Sequence, residues 1–341
     1  MTITNEAYNC ITTTPRNLIR GLATVIKAQR QAMIWGSYGV GKSSIVAQLA
    51  NQLGYKLLAI YPSQDDVIDY KLPYLAEVNG EKMSAFALSE RLPREGKWII
   101  LVDEINTAPT SLQPTLYSLI LDGRICNWQA PKGCIRLGAG NRETDKCAAQ
   151  PMSAALKDRL TVHFNLVPNS DDWCVWAAKN TIRPEVMAFV RNFPQSLEGA
   201  NPDDPCGGCT PRSLEGLSRL IDAGIPSEIE PQMIFGTIGQ GVGTEFNAFL
   251  DLYRSKINLD DIIKNPTTAK IPDEPHVNYA IATGLAAKAN QKNFAAIMTY
   301  AERMSPSYMV VIVGDSIRRD PQVKKTKAFS KFTAENHDII I

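Results

Sequence analysis

No apolar run in the sequence approaches the length of a membrane span. The longest, such as Trp98–Val102 and Met309–Val313, cover a handful of residues, against the roughly 20 that a bilayer-crossing helix needs. The first fourteen residues are polar and include Glu6, so they do not read as a secretory signal. Histidine is scarce: His163, His276 and His337 are far apart, without metal-ligand spacing, and each is expected to be structural or solvated. The seven cysteines are odd in number and mostly scattered, which argues against a disulfide framework and for reduced thiols in a cytoplasmic protein. Charge of one sign is also missing, since 36 Lys and Arg against 35 Asp and Glu leave a net charge of +1. That removes any bulk field towards nucleic acid or an anionic membrane, although a local basic groove stays open. Internal repeats and low-complexity tracts are absent too.

What is there is globular. Hydrophobic residues make up 44% and charged residues 21%, which excludes a disordered or fibrous chain, and 341 residues suffice for roughly two domains at about 150 residues each. Thr14-Pro15 signals a helix start, followed by Leu18, Leu22, Val25 and Ile26 at helical spacing. Strands are predicted at Gln31–Trp35, Lys56–Tyr61, Trp98–Asp103, Ile135–Gly140 and Thr161–Leu166. Between them fall a helix over Lys42–Leu53, with Ile45, Val46, Leu49 and Leu53 on one face, and another over Thr110–Leu121, with Leu112, Leu116, Leu119 and Ile120 facing the core. Trp98–Asp103 is apolar almost throughout, as a strand buried on both faces must be. Strand–helix alternation on this scale predicts an α/β layer fold with a five-stranded parallel sheet. Beyond Val167 the reading is helical, over Asp171–Asn180, Arg183–Asn192, Pro211–Ala223 and Glu245–Ser255. A loop rich in Pro, Gly and Asp falls at Pro194–Pro211, and a second break, Lys256–Pro275, holds several prolines. Domain boundaries are therefore expected near 168 and 256.

The stretch Gly36, Ser37, Tyr38, Gly39, Val40, Gly41, Lys42, Ser43 fits G-x-x-x-x-G-K-[ST], with Ser44 following, and lies between a predicted strand and a predicted helix. The glycines let successive backbone N–H groups turn inwards around an anion, and the helix N-terminus adds the positive end of its dipole. Lys42 is expected to reach the β- and γ-phosphates of a bound nucleotide, and Ser43 to ligate Mg²⁺. A second signal is Trp98–Glu104: an apolar strand that delivers Asp103 to the carboxyl edge of the sheet, where doubly wound folds bind ligands. Asp103 is a candidate Mg²⁺ ligand. Glu104 is a candidate general base for the attacking water.

These motifs resemble the AAA+ ATPases, and in detail the MoxR branch. Asp103-Glu104-Ile105-Asn106 followed by Ala108-Pro109 is similar to that branch's D-E-I-N-x-A-P stretch, and Leu137–Asn141 ends a strand where the family carries its sensor 1 Asn. The resemblance thus makes Asn141 a water-orienting residue beside Glu104. Tyr74–Met83, with Asn79-Gly80 at its centre, and Gly123–Ile135, centred on Ala130–Gly133, fall where the branch carries hairpins. Lys157-Asp158-Arg159-Leu160 is similar to the family's D-R-[FL] element, which makes Arg159 the arginine finger for a neighbouring subunit, with Arg142 and Lys157 as competitors. Thr210-Pro211-Arg212 opens a helix where the family has sensor 2, an Arg contacting nucleotide from the lid. Two positions depart from the pattern: Thr107 stands for a common Arg and Arg142 for a common Pro.

The resemblance covers about residues 15–255. It implies an αβα nucleotide-binding domain over 1–168 and an α-helical lid over 169–255; residues 256–341 lie beyond the family pattern and read as a mostly helical extension. It also implies Mg²⁺-dependent ATP hydrolysis, a ring of subunits that by analogy is a hexamer, and a protein client or a partner bearing a von Willebrand factor type A domain, with no role for a membrane. Two other classes are compatible with the same residues. One is a nucleic-acid-directed motor of restriction or phage type, which Glu77 and Glu81 in the first hairpin disfavour; the other is a nucleotide-gated scaffold, which the intact Glu104 disfavours. Cys206-Gly207-Gly208-Cys209 has the spacing of half a zinc site but no second pair. Trp173 and Trp176 are expected in a core, and Lys324, Lys325 and Lys327 on a solvated face.

Overall fold

The computed structural model describes residues 11–142, 145, 152 and 154–336; His337 lies outside them. The chain divides into two compact units, Met1–Val167 and Pro168–Ile341.

The first unit runs through β1 (Thr12–Thr13), α1 (Pro15–Lys27), β2 (Ala32–Trp35), α2 (Lys42–Leu53), β3 (Lys56–Ile60), β4 (Leu72–Val78), β5 (Glu81–Ala87) and β6 (Trp98–Val102). It continues through α3 (Gln113–Asp122), β7 (Arg124–Ile125), β8 (Trp128–Gln129), β9 (Ile135–Gly140), α4 (Ala154–Arg159) and β10 (Val162–Leu166). Six strands form one sheet in the order β1-β10-β2-β9-β6-β3, every neighbouring pair parallel. The expectation of five strands is thus corrected to six. The addition, β1, is a polar two-residue edge strand held by main-chain bonds, with Asn165 N donating to Ile11 O at 2.9 Å and Val167 N to Thr13 O at 3.0 Å. It has no apolar alternation to announce it.

Apolar residues on both faces of the sheet explain the layers. Along β6, Ile99 and Leu101 pack with Leu18, Leu22, Val46 and Leu49 from α1 and α2, whereas Ile100 and Val102 pack with Leu116, Leu119 and Ile120 from α3. Burying each such side chain is worth about 1.5–3 kcal/mol. The predicted core faces of α1 and α3 are buried as expected, but Leu53 is 43% exposed, being the last residue of α2, beside its Gly54 cap.

Two antiparallel pairs lie outside the main sheet. β4 and β5 join through Asn79-Gly80, both with positive φ (54° and 83°), as an Asn-Gly hairpin turn requires. Both faces of this pair are open, with Leu75 79%, Tyr74 51% and Met83 50% exposed. The second hairpin turns at Cys126 and Asn127, between β7 and β8, rather than at the expected Ala130–Gly133. That segment instead makes a separate turn into β9, with Cys134 N donating to Pro131 O at 3.1 Å.

The second unit is helical: α5 (Ser170–Lys179), α6 (Pro184–Asn192), α7 (Pro211–Ala223), α8 (Glu230–Ile238), α9 (Gln240–Lys256), α10 (Leu259–Lys264), α11 (Pro275–Lys288), α12 (Phe294–Ala301), α13 (Pro306–Arg319) and α14 (Lys327–Glu335). Helices α8 and α10 were not expected from the sequence. α8 has Pro231 and Gly236 within it and only Ile234 and Ile238 buried, and α10 is under two turns long. The stretch expected as a loop, Pro194–Pro211, holds a 3₁₀ turn at Pro194–Glu198 and a single bridge between Ala200 and Gly208. One core gathers Phe189, with Phe246 edge-on at 5.1 Å, and includes Trp173, against which Trp176 packs. Another gathers Leu285, Ile297, Tyr300 and Ile312. Lys324, Lys325 and Lys327 are exposed. Among the described residues no helix is long and apolar enough to cross a membrane.

Candidate nucleotide site

The register of the sheet brings the site together. Trp35 pairs with Gly140 and Val102 with Gly138, so β2, β9 and β6 end at one carboxyl edge. The residues that follow them, Gly36, Asn141 and Asp103, emerge side by side. Helix α2 opens at Lys42 with Gly41 as its N-cap, at φ 100°, a left-handed conformation open to glycine at little cost. At Gly36 the constraint is space: a Cβ there would lie 2.8 Å from Leu166 O.

Lys42 is buried, 7% exposed, together with Asp103 and Asn141 at 5% each. Its ammonium donates to Gly36 O at 2.8 Å, Ser37 O at 3.0 Å and Asn141 Oδ1 at 2.9 Å. The strand-end Asn and the loop Lys, 99 residues apart, are therefore in direct contact. Ser43 Oγ donates to Asp103 Oδ2, and Asp103 Oδ1 accepts the Glu104 N–H at 3.0 Å. A hydroxyl and a carboxylate in contact form an all-oxygen donor pair. That fits Mg²⁺, which takes one or two protein oxygens and completes its shell with phosphate and water.

Glu104 is the one exposed member of the group. Its backbone is left-handed, φ 52°, a strained state for a residue with a side chain. The turn is closed by Thr107 Oγ1 donating to Glu104 O at 2.8 Å, which gives the unusual Thr107 a local role. Arg142, the other departure, makes an ion pair with Asp145, Nη2 to Oδ1 at 2.9 Å.

Asn106 carries a contact that its motif did not announce. Buried at 4% exposure, it donates from Nδ2 to Asn141 O at 2.8 Å, and its Oδ1 has no hydrogen-bond partner among the described residues. The D-E-I-N run was the available signal, but it says nothing of the strand that Asn106 would meet. Arg159 is the exposed last residue of α4, outside the Lys42–Asp103–Asn141 cluster, with Lys157 half-buried before it. Arg212 is exposed on the first turn of α7, in the second unit. Thr210 caps that helix, accepting from Ser213 N at 3.1 Å.

Among the described residues no three His, Cys, Asp or Glu side chains gather to hold a metal. Cys206 Sγ donates to Asp204 Oδ1 at 3.1 Å, and burial pushes the Cys209 thiol up to about 12.

A phosphate-binding loop on a parallel α/β sheet, with a Lys, a Ser and a strand-end Asp converging at the carboxyl edge, defines a P-loop nucleotide hydrolase. Residues 31–160 match the family model of the AAA domain of the dynein-related subfamily, so this segment is similar to an AAA domain. Similar solved structures include the RuvB Holliday junction branch migration motor from Thermotoga maritima, 14% identical over 79% of this chain and 81% of that one with a TM-score of 0.37. NtrX from Brucella abortus, in complex with ADP, is 12% identical over 95% of this chain and 68% of that one with a TM-score of 0.40.

Proposed function

We propose that the protein is a MoxR-type AAA+ ATPase that couples Mg²⁺-dependent ATP hydrolysis to remodelling, assembly or activation of a partner protein. The observation that carries the reading is the convergence of Lys42, Ser43, Asp103 and Asn141 at one sheet edge with Glu104 beside them. Lys42 is held by three oxygen acceptors, the chemistry that β- and γ-phosphate oxygens also offer, so nucleotide exchanges one set of acceptors for another. Ser43 and Asp103 hold the metal, which supplies charge neutralisation to the phosphates when bound. Glu104 takes the proton of the attacking water and Asn141 orients it. Arg159 places a planar cation on the γ-phosphate of an adjacent subunit. Arg212 links nucleotide state to the lid, residues 169–255, so that hydrolysis becomes motion. The run Asp103–Asn106 with Ala108-Pro109 supports the branch, and with it a ring, a hexamer by analogy, and a partner with a von Willebrand factor type A domain.

The test separates binding from turnover. Lys42→Ala is expected to lose ATP binding in calorimetry. Glu104→Gln is expected to bind ATP but hydrolyse it at least about 100-fold more slowly, within the usual reach of a general base. Normal turnover by the Glu104 variant would remove the assigned base. The Glu104 variant, locked with ATP, is also the form in which a client should co-purify.

A further inference from the structure

Trp35 is the last residue of β2 and stands directly before Gly36, whose carbonyl accepts from Lys42. Its indole Nε1–H donates to His163 Nδ1 at 3.1 Å, the two rings lying within 10° of parallel. On its other side, His163 Nε2 lies 2.9 Å from the carbonyl of Lys157. An indole N–H can only donate and a carbonyl can only accept. The two contacts therefore define the tautomer: Nδ1 bare, Nε2 carrying the proton. Lys157 O also receives the Leu160 N–H at 3.3 Å. It is one of the closing carbonyls of α4, the kind that a helix cannot satisfy from within. Arg159 is two residues further along the same turn.

Helix α4 has six residues, well below the roughly 12 at which a helix begins to hold itself. The direction of its last side chain must be imposed from outside. Buried Leu160 supplies one anchor just after the helix, and the imidazole supplies another within it. We propose that His163 is a positioning residue for Arg159, tying the turn that presents the arginine to the end of the strand that leads into the phosphate loop. The proposal rests on the reading of Arg159 as a cation given to a neighbouring subunit's site. It adds a physical link, Gly36–Trp35–His163–Lys157–Arg159, between a subunit's own phosphate loop and the residue it lends.

Mixed assemblies of the full chain test this. Lys42→Ala subunits can lend an arginine but not bind ATP, and Arg159→Ala subunits can bind ATP but not lend, so mixing them is expected to restore ATP hydrolysis. Adding His163→Phe, which keeps a flat ring but makes neither bond, to the lending Lys42→Ala subunit is expected to cut that recovery about tenfold, as a misplaced catalytic group does. The same change in the binding Arg159→Ala subunit should leave recovery and ATP affinity within about twofold, since there the arginine is already gone. His163→Gln in the lending subunit, retaining a donor for Lys157 O, should rescue most of the loss. Equal loss in both placements, or a Gln variant as impaired as Phe, would overturn the positioning role. If the control mixture of Lys42→Ala and Arg159→Ala assembles yet shows no recovery, the lending role of Arg159 fails, and the proposal falls with it.

Discussion

The carboxamide of Asn106 lies behind the site and touches it through one bond, to the carbonyl of Asn141. Asn106→Ala leaves that carbonyl buried and without its side-chain donor, which costs about 1–3 kcal/mol. It also frees the backbone that aims Asn141 at Lys42. The expected outcome is a lower unfolding midpoint in urea and a fall in kcat, with ATP affinity little changed because Asn106 bonds to the Asn141 carbonyl and not to the phosphate loop. A loss of affinity equal to the loss in kcat would show that Asn106 shapes the phosphate loop itself. Strain at Glu104 belongs to the same scale: a carboxylate on a left-handed residue is turned out of the strand direction and into solvent, beside a buried Asp that stays with Ser43.

Among elements, the helices of the second unit are joined by charge as well as by apolar contact. Arg191 of α6 donates to Thr283 Oγ1 of α11 at 2.7 Å and to Asp315 Oδ2 of α13 at 2.6 Å, and Arg318 reaches Asp315 Oδ1 at 3.1 Å. The Asp315 side chain is 1% exposed and that of Arg191 12%. Removing one partner of a buried pair strands the other charge, so Asp315→Ala is expected to destabilise by about 3–5 kcal/mol, read as a shift in the urea midpoint. A shift below about 1 kcal/mol would mean that Arg191 finds water instead. The β4–β5 hairpin is the opposite kind of element, apolar side chains on both open faces and neither face in a core.

For the molecule as a whole, buried thiols make stability fall at alkaline pH. Burial pushes Cys174 up to about 12, Cys209 to about 12 and Cys134 to about 11, whereas in the unfolded chain a thiol ionises near about 8.5. Between those limits the folded protein binds more protons than the unfolded one, so stability declines as pH rises, by up to about 1.4 kcal/mol per pH unit for each thiol. Below about pH 8 the effect vanishes. The urea midpoint should therefore drop from pH 8 to pH 10, and Cys174→Ala with Cys209→Ala should flatten the slope. An unchanged slope would place the alkaline sensitivity elsewhere, and the Tyr70 and Tyr253 hydroxyls, both raised by burial, would add to it only above about pH 10, where an unfolded tyrosine ionises.

What the amino-acid order determined alone was local. Gly36–Ser43 between strand and helix, the apolar run Trp98–Val102, the Asn79-Gly80 turn and the buried stripes of α1 and α3 each rest on residues a few positions apart, where period and turn chemistry operate. The tertiary structure decided what depends on strands lining up: the edge strand at Thr12–Thr13, the open end of α2 at Leu53, and the hairpin turn at Cys126 rather than Pro131. It also decided the pairings that build the site, Lys42 with Asn141, Asn106 with the Asn141 carbonyl and Trp35 with His163, the last across 128 residues. No spacing rule reaches that far, because which side chains meet is set by sheet order and register, and those emerge only when both faces of the sheet are covered.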